Sequence, residues 1–354
     1  MGARAATPEH NRVCRLGQAV PTRRAFIGAV AAAGATALMP AARSLGQGAP
    51  GKGRLDVHYH VFPPETLAAS RNPAQAGWTV ARAIDELDRN GIATGLASSG
   101  STLPVDQARA FNEFATRLGR DHPGRFGLFA ALPLPDIDAS LKEIEHALDV
   151  LKADGFGLVT SYGDLWLGDP KLRPVFAELN RRKAVVYVHP TDAPCCVNLS
   201  YWTPPVAGSW IEWPMHTARA ILSLMLNRVM LEFPDIRFIF AHDGGAMPML
   251  IGRIAGFAQS ARADFREKFR DIFPAGVEAE YRKLYFDTAQ GYYPVNMEAM
   301  RKLVPDEHIL FGTDYPYFSI AASVTGIHQL GLPPALLRAI ERENAQALFP
   351  RWRG

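Results

Sequence analysis

The sequence predicts an α/β chain whose main domain is a closed (β/α)8 barrel, and three observations support this. After residue 53, eight short apolar runs alternate with stretches of helical period. That alternation is the pattern of parallel strands joined by helical crossovers, and eight such units in about 300 residues suit a closed barrel. An open doubly wound sheet is the alternative, but it usually carries a Gly-rich phosphate turn after an early strand, and none is seen here.

The first run, Leu55–Tyr59, ends in His58-Tyr59-His60. Side chains alternate along a strand, so the two histidines share a face. Residues 79–90 place Val80, Ile84 and Leu87 at helical spacing, and Gly91 stops them. Ile92–Ser98 is the second strand. Residues 105–121 form a helix with Ala108, Phe111, Phe114, Ala115 and Leu118 on one face. The third run, 126–132, is closed by Pro133 and Pro135. Residues 137–153 form a helix with Leu141, Ile144, Leu148 and Leu151 as its stripe.

Residues 156–161 are the fourth strand, and 170–182 a helix with proline in its first turn. The fifth run, 184–188, leads into His189-Pro190. The segment 191–210 has no pattern and holds Cys195, Cys196, Trp202 and Trp210; loops of this length in a compact domain are usually functional or disordered. A helix over 214–233 precedes the sixth strand, 237–241, which ends at His242-Asp243-Gly244-Gly245. Residues 246–260 are helical, 284–287 the seventh strand and 294–303 its helix. The eighth strand, 308–311, ends at Gly312-Thr313-Asp314-Tyr315-Pro316, and 334–348 form the last helix.

Ahead of the barrel, Thr22-Arg23-Arg24-Ala25-Phe26-Ile27 precedes an Ala/Gly-rich apolar run and the small residues Ala41-Ala42. The run is shorter than the roughly 20 residues that span a bilayer. This leader resembles a twin-arginine export signal, with an uncleaved amphipathic helix as the alternative. The expected organisation is a signal over 1–42, a linker over 43–53 and one domain over 54–354, exported to the periplasm with no stable membrane span after processing. The net charge of +3 implies no nucleic-acid partner. Of the three cysteines, Cys14 lies in the leader, and the adjacent Cys195 and Cys196 do not easily close a disulfide.

In a parallel barrel, chemistry gathers at the C-terminal strand ends. There the sequence places His58, His60, His189, His242 and Asp314. Each singly could be a loop or core residue. Together they offer imidazoles and a carboxylate suited to a divalent first-row ion, zinc first and manganese as the alternative. Aromatic residues cluster after the same ends: Tyr59, Phe62, Trp202, Tyr292, Tyr293, Tyr315, Tyr317 and Phe318. They suit either a flat apolar ligand or ordinary loop anchoring.

His58-x-His60, Val188-His189-Pro190, Ala241-His242-x-Gly-Gly and Gly312-Thr313-Asp314-Tyr315-Pro316 resemble the amidohydrolase superfamily. More narrowly they resemble its metal-dependent decarboxylases, a branch that includes aminocarboxymuconate semialdehyde decarboxylase. Within that branch, Ala153-Asp154-Gly155, Tyr162-Gly163 and residues 181–186 resemble the 6-methylsalicylate decarboxylase group.

The resemblance implies that His58, His60, His189 and Asp314 hold one metal ion, with His242 beside it as the acid/base group; in a decarboxylation either His242 or Asp314, the two candidate catalytic groups, would deliver the proton. The absence of lysine from residues 156–163 favours a single ion. It implies an aromatic hydroxy acid as substrate, non-oxidative decarboxylation as reaction and a homodimer as assembly. Arg71 and Arg82 are candidates for pairing with the substrate carboxylate. The same ligands would serve a hydrolase acting on a lactone, ester or amide through metal-bound water. A barrel that only binds its ligand is the reading from another class.

Overall fold

Eight parallel strands form one sheet in sequential order: β1 (Arg54–His60), β2 (Ile92–Ser98), β3 (Phe126–Ala131), β4 (Gly155–Val159), β5 (Val185–His189), β6 (Arg237–Phe240), β7 (Tyr285–Asp287) and β8 (Ile309–Leu310). This computed structural model describes residues 53–194 and 208–353. The expected signal, Cys195, Cys196 and Trp202 lie outside them. The seam between β8 and β1 is sewn mainly beyond β8 itself. Val57 N donates to Phe311 O at 3.0 Å, Asp314 N to His58 O at 2.8 Å and His60 N to Tyr315 O at 2.9 Å. The result is a nearly closed eight-stranded barrel, as the alternating runs predict.

Two cores explain why these sequences close up. The larger packs the outward faces of the strands, such as Leu128, Phe156, Val186 and Phe240, against helix stripes that include Phe111, Leu118, Ile144 and Phe176. The smaller fills the barrel with Leu55, Val57, Leu96, Phe129, Val185, Tyr187, Ile239 and Leu310. Phe349 and Ala345 from the C-terminal segment join this inner cluster. Among the described residues, no helix is long and apolar enough to cross a membrane.

The expected helices are present with altered ends. The helix from Ile137 stops at Asp149, and Lys152 takes a left-handed φ of 57°. The expected helix over 214–233 is two helices, Trp213–Leu226 and Val229–Glu232, separated by Arg228 at φ 59°; a left-handed residue after the last turn ends a helix. The last helix is Pro334–Arg338, a π turn over Ala339–Glu343 and Asn344–Leu348.

Other helices were not expected. Pro64–Ala69 has no fully buried side chain and is too short to show a stripe; Ala263–Ile272 spaces Phe265, Phe269 and Ile272 along one face, with Phe269 and Ile272 half-buried against the larger core. Ile320–Gln329 is different: Ile320, Val324 and Ile327 are buried at helical spacing behind a Ser319 cap. That signal is plain in the sequence, and this helix directly follows β8.

Candidate active site

The two histidines of β1 reach the barrel mouth because β1 breaks its own alternation. Val57 faces the inner core, while Tyr59 packs in the outer one. Strict alternation from Val57 would turn Tyr59 inward and both histidines out. The pairing with β2 shifts between Asp56 and Tyr59, and such an irregularity re-aims the side chains beyond it. Asp56 anchors the shift. Its carboxylate accepts from His58 N at 3.0 Å, Thr313 N at 3.1 Å and Thr313 Oγ1 at 2.5 Å. One buried acid therefore ties the strand carrying His58 to the turn carrying Asp314.

The ligand atoms of His58, His60, His189 and Asp314 all lie within 4.8 Å of one another, and all four residues are buried. His60 Nδ1 faces Ser98 O at 3.1 Å, and His189 Nδ1 faces Pro190 O at 2.7 Å. A carbonyl oxygen only accepts, so in both rings Nδ1 carries the proton and Nε2 keeps its lone pair. His60 Nε2 and His58 Nε2 stand 3.1 and 3.2 Å from Asp314 Oδ1. Both ring nitrogens of His58 and Nε2 of His189 are buried without a well-aligned hydrogen bond, although His58 Nδ1 lies 3.0 Å from Asp287 Oδ2. Buried, unsatisfied nitrogens beside a carboxylate are costly unless a cation completes the set. These four residues fit a single divalent ion.

Electrostatics point the same way. Burial opposes a charge on His58, but Asp287 and Asp314 outweigh it and hold its pKa up at about 10. Burial would also raise Asp314, yet the positive charge of His58 keeps it well below the usual carboxylate range. Burial pulls His189 well down, helped by His60 and His58. The pocket thus sets an ionised carboxylate against a positively charged His58 and a neutral His189. Gly100 shows how tightly it is built: a Cβ there would come 2.7 Å from a ring carbon of His60.

His242 stands beside the cluster, its ring centroid 4.8 Å from that of His58. Its Nδ1 faces Ala289 O at 3.2 Å, and its Nε2 lies 3.9 Å from Asp314 Oδ2. Burial, then His58, lower its pKa, while Asp314 raises it. His242, Asp243 and Asp314 take φ values of 54°, 57° and 63°. Left-handed backbone at non-glycine residues costs of order 1–3 kcal/mol each and clusters at functional sites.

All five expected polar residues meet in this pocket. The aromatic residues divide. Tyr317 edges His60 at 5.2 Å, and Phe62 packs between Tyr317 and Trp78. Tyr59 and Tyr315 instead stack on each other at 5.1 Å in the outer core; Tyr59 faces away because of the β1 shift. Tyr292 and Tyr293 stack as a pair at 5.8 Å, and Tyr293 and Phe318 are exposed. Arg71 and Arg82 are exposed, and Arg82 turns toward Gly77 O.

Trp213, 5.9 Å from His189, joins the site from a helix start that sequence reasoning did not single out. Asp56 and Asp287 were also missed. Asp56 had a signal, an acid inside an apolar run. Asp287 had the one used for the others, a polar residue closing such a run.

Comparison with known proteins agrees with this geometry. The family profile described as "Amidohydrolase" matches residues 55–351. A 6-methylsalicylic acid decarboxylase of Penicillium expansum is 31% identical over 323 residues, covering 85% of this chain and 97% of the relative. A gamma-resorcylate decarboxylase of Rhodococcus jostii is 25% identical over 341 residues, covering 84% and 98%. The fold also matches a dihydroxybenzoic acid decarboxylase from Polaromonas, solved with manganese and 2-nitroresorcinol, with a TM-score of 0.71, 20% identity and coverage of 85% and 98%. With a family match across nearly the whole barrel and a relative this similar over its full length, the chain belongs to the amidohydrolase family.

Proposed function

We propose that this protein is a metal-dependent decarboxylase that removes carbon dioxide, without oxidation, from an aromatic hydroxy acid of the 6-methylsalicylate type. The observation that carries the reading is the division of labour among four imidazoles. Three converge with Asp314 on one point, and His242 stands beside them with its Nδ1 tied to a backbone carbonyl. His58, His60, His189 and Asp314 would hold one divalent ion, zinc or manganese, whose donor preferences both suit this set. Bound there, the ion supplies a Lewis acid and a template for a carboxylate and its neighbouring hydroxyl.

With its Nδ1 proton held against Ala289 O, His242 takes a second proton at Nε2 from solvent and delivers it to the ring carbon that bears the carboxylate. The bond to the carboxyl carbon then breaks, its electron pair restores the aromatic ring, and carbon dioxide leaves. Asp314, kept ionised, faces His242 and supports its imidazolium form. Tyr317 and Trp213 flank the cluster with flat apolar faces that suit an aromatic ring. The similarity to decarboxylases of 6-methylsalicylic acid and gamma-resorcylate supports the same substrate class.

The test is incubation of the zinc- or manganese-loaded protein with 6-methylsalicylate in heavy water. The expected result is carbon dioxide release with one deuterium at the vacated ring carbon. Ring opening of lactones with uptake of labelled water oxygen, and no carbon dioxide, would instead make it a hydrolase. Tight binding of the acid with no turnover would make it a binding protein. The same proposal takes residues 1–42 as a twin-arginine signal leading to the periplasm and takes the mature chain as a homodimer. Cell fractionation and sedimentation of the processed protein check these two points.

A further inference from the structure

Asp287 closes β7 and is fully buried. Its Oδ2 lies 3.0 Å from His58 Nδ1 and accepts from Tyr187 OH at 3.1 Å. Its Oδ1 accepts from His242 N at 3.1 Å and Ala289 N at 2.9 Å. One carboxylate therefore touches the side chain of one member of the metal cluster and the backbone of the neighbouring acid–base histidine. Ala289 extends the link, because its carbonyl in turn faces His242 Nδ1.

His58 differs from the other two imidazoles in what stands behind it. His60 and His189 set their Nδ1 protons against the carbonyls of Ser98 and Pro190. Behind His58 stands a carboxylate. A carboxylate behind a ligating histidine fixes its tautomer and raises its basicity. Space is reserved for this contact, since a Cβ at residue 312 would come 2.9 Å from the Cβ atoms of both His58 and Asp287. At the other oxygen, the bonds to His242 N and Ala289 N hold a segment in which His242 and Asp243 are left-handed, a conformation that needs support from its surroundings.

We propose that Asp287 is a positioning residue that serves both halves of the site at once. It keeps the His58 proton on Nδ1, so that Nε2 faces the metal, and it holds the turn that aims His242. The inference rests on the metal-centre reading above and adds to it a residue and a coupling.

Asp287→Asn separates the two ideas. An asparagine whose Oδ1 still accepts from His242 N and Ala289 N must turn its amide N–H group toward His58. That forces His58 Nδ1 to accept and moves the proton to Nε2, which removes this ligand. Apo-protein is titrated with zinc against a competing chelator. The expected result is one tight zinc per wild-type chain and binding weaker by at least about tenfold in Asp287→Asn, the range seen when such outer partners are lost.

In parallel, nitrogen NMR of the zinc-loaded wild-type protein reads the His58 tautomer, a quantity that a general loss of stability does not move. A proton on Nδ1 is expected. Zinc affinity of folded Asp287→Asn within about threefold of wild type overturns the inference and leaves the metal centre standing. Wild-type NMR that places the His58 proton on Nε2 overturns the inference together with the reading of His58 as a ligand, and this measurement decides the matter if Asp287→Asn does not fold. A wild-type protein that binds neither zinc nor manganese overturns the metal centre, and the inference with it.

Discussion

At the scale of single residues, the pocket separates two jobs that histidine can do. His58, His60 and His189 turn Nε2 inward toward Asp314. His242 has its Nδ1 against Ala289 O, and 20% of its side chain is open to solvent. Replacing His242 with alanine is therefore expected to lower kcat by roughly 10²–10⁴-fold, the usual worth of a positioned acid–base group. Zinc affinity should stay within a few-fold of wild type. Single-turnover kinetics and chelator competition on the same preparation check both parts.

Asp243, next in the chain, offers a test by pH. Burial, then the nearby Asp287, pushes its carboxyl up to about 8, against a hydrogen bond from Asn296 Nδ2. The unfolded chain releases this proton near pH 4 and the folded chain near pH 8. Between those values the folded state holds more protons, so stability falls as pH rises through that window. Asp243→Asn removes the titration. Its melting temperature should match wild type near pH 4 and exceed it near pH 9, with the gap opening in between; parallel thermal scans across that range would show it.

At the scale of elements, the barrel seam is held by side chain as well as backbone. Asp56 at the irregularity in β1 binds Thr313 through both its N–H and its hydroxyl. Thr313→Val keeps the shape and removes the hydroxyl donor from a fully buried pair. The expected cost is about 1–3 kcal/mol, the range for leaving a buried polar group short of a partner. Urea denaturation should show a lower midpoint with an unchanged slope.

The same element shows how far the chain could be read from its residues. That His58 and His60 share a face follows from period two alone. That the face is the inner one does not follow, because it depends on the shift against β2. Ile320–Gln329 and Ala263–Ile272 both carry apolar residues at helical spacing and were legible in the sequence, whereas Pro64–Ala69, only 6 residues long, left little to read.

At the scale of the whole molecule, the barrel is plugged from one end and works at the other. Phe349 packs its ring 5.6 Å from Phe129 inside the inner cluster. Trp352 Nε1 and the Arg351 guanidinium bind Asp154, just ahead of β4. The last residues of the chain thus lock the inner core. Phe349→Ala is expected to destabilise the protein by about 3–5 kcal/mol, as for other large core truncations. Turnover per folded molecule should be unchanged, because the pocket is built at the opposite strand ends. Chemical denaturation paired with active-site titration separates the two effects.

Periodicity and the order of apolar runs were enough to specify a barrel, and polar residues closing those runs were enough to find its five central side chains. Both are local patterns, imposed by the spacing of side chains along a strand or helix, so they survive in a linear reading. The direction each side chain takes, the placing of Tyr59 outside and Tyr317 inside, and the reach of Asp56 and Asp287 across the barrel were not legible in that way. They depend on register shifts and on contacts between residues 100 or more positions apart, as between Tyr187 and Asp287. Those contacts come into being only when the strands close on one another.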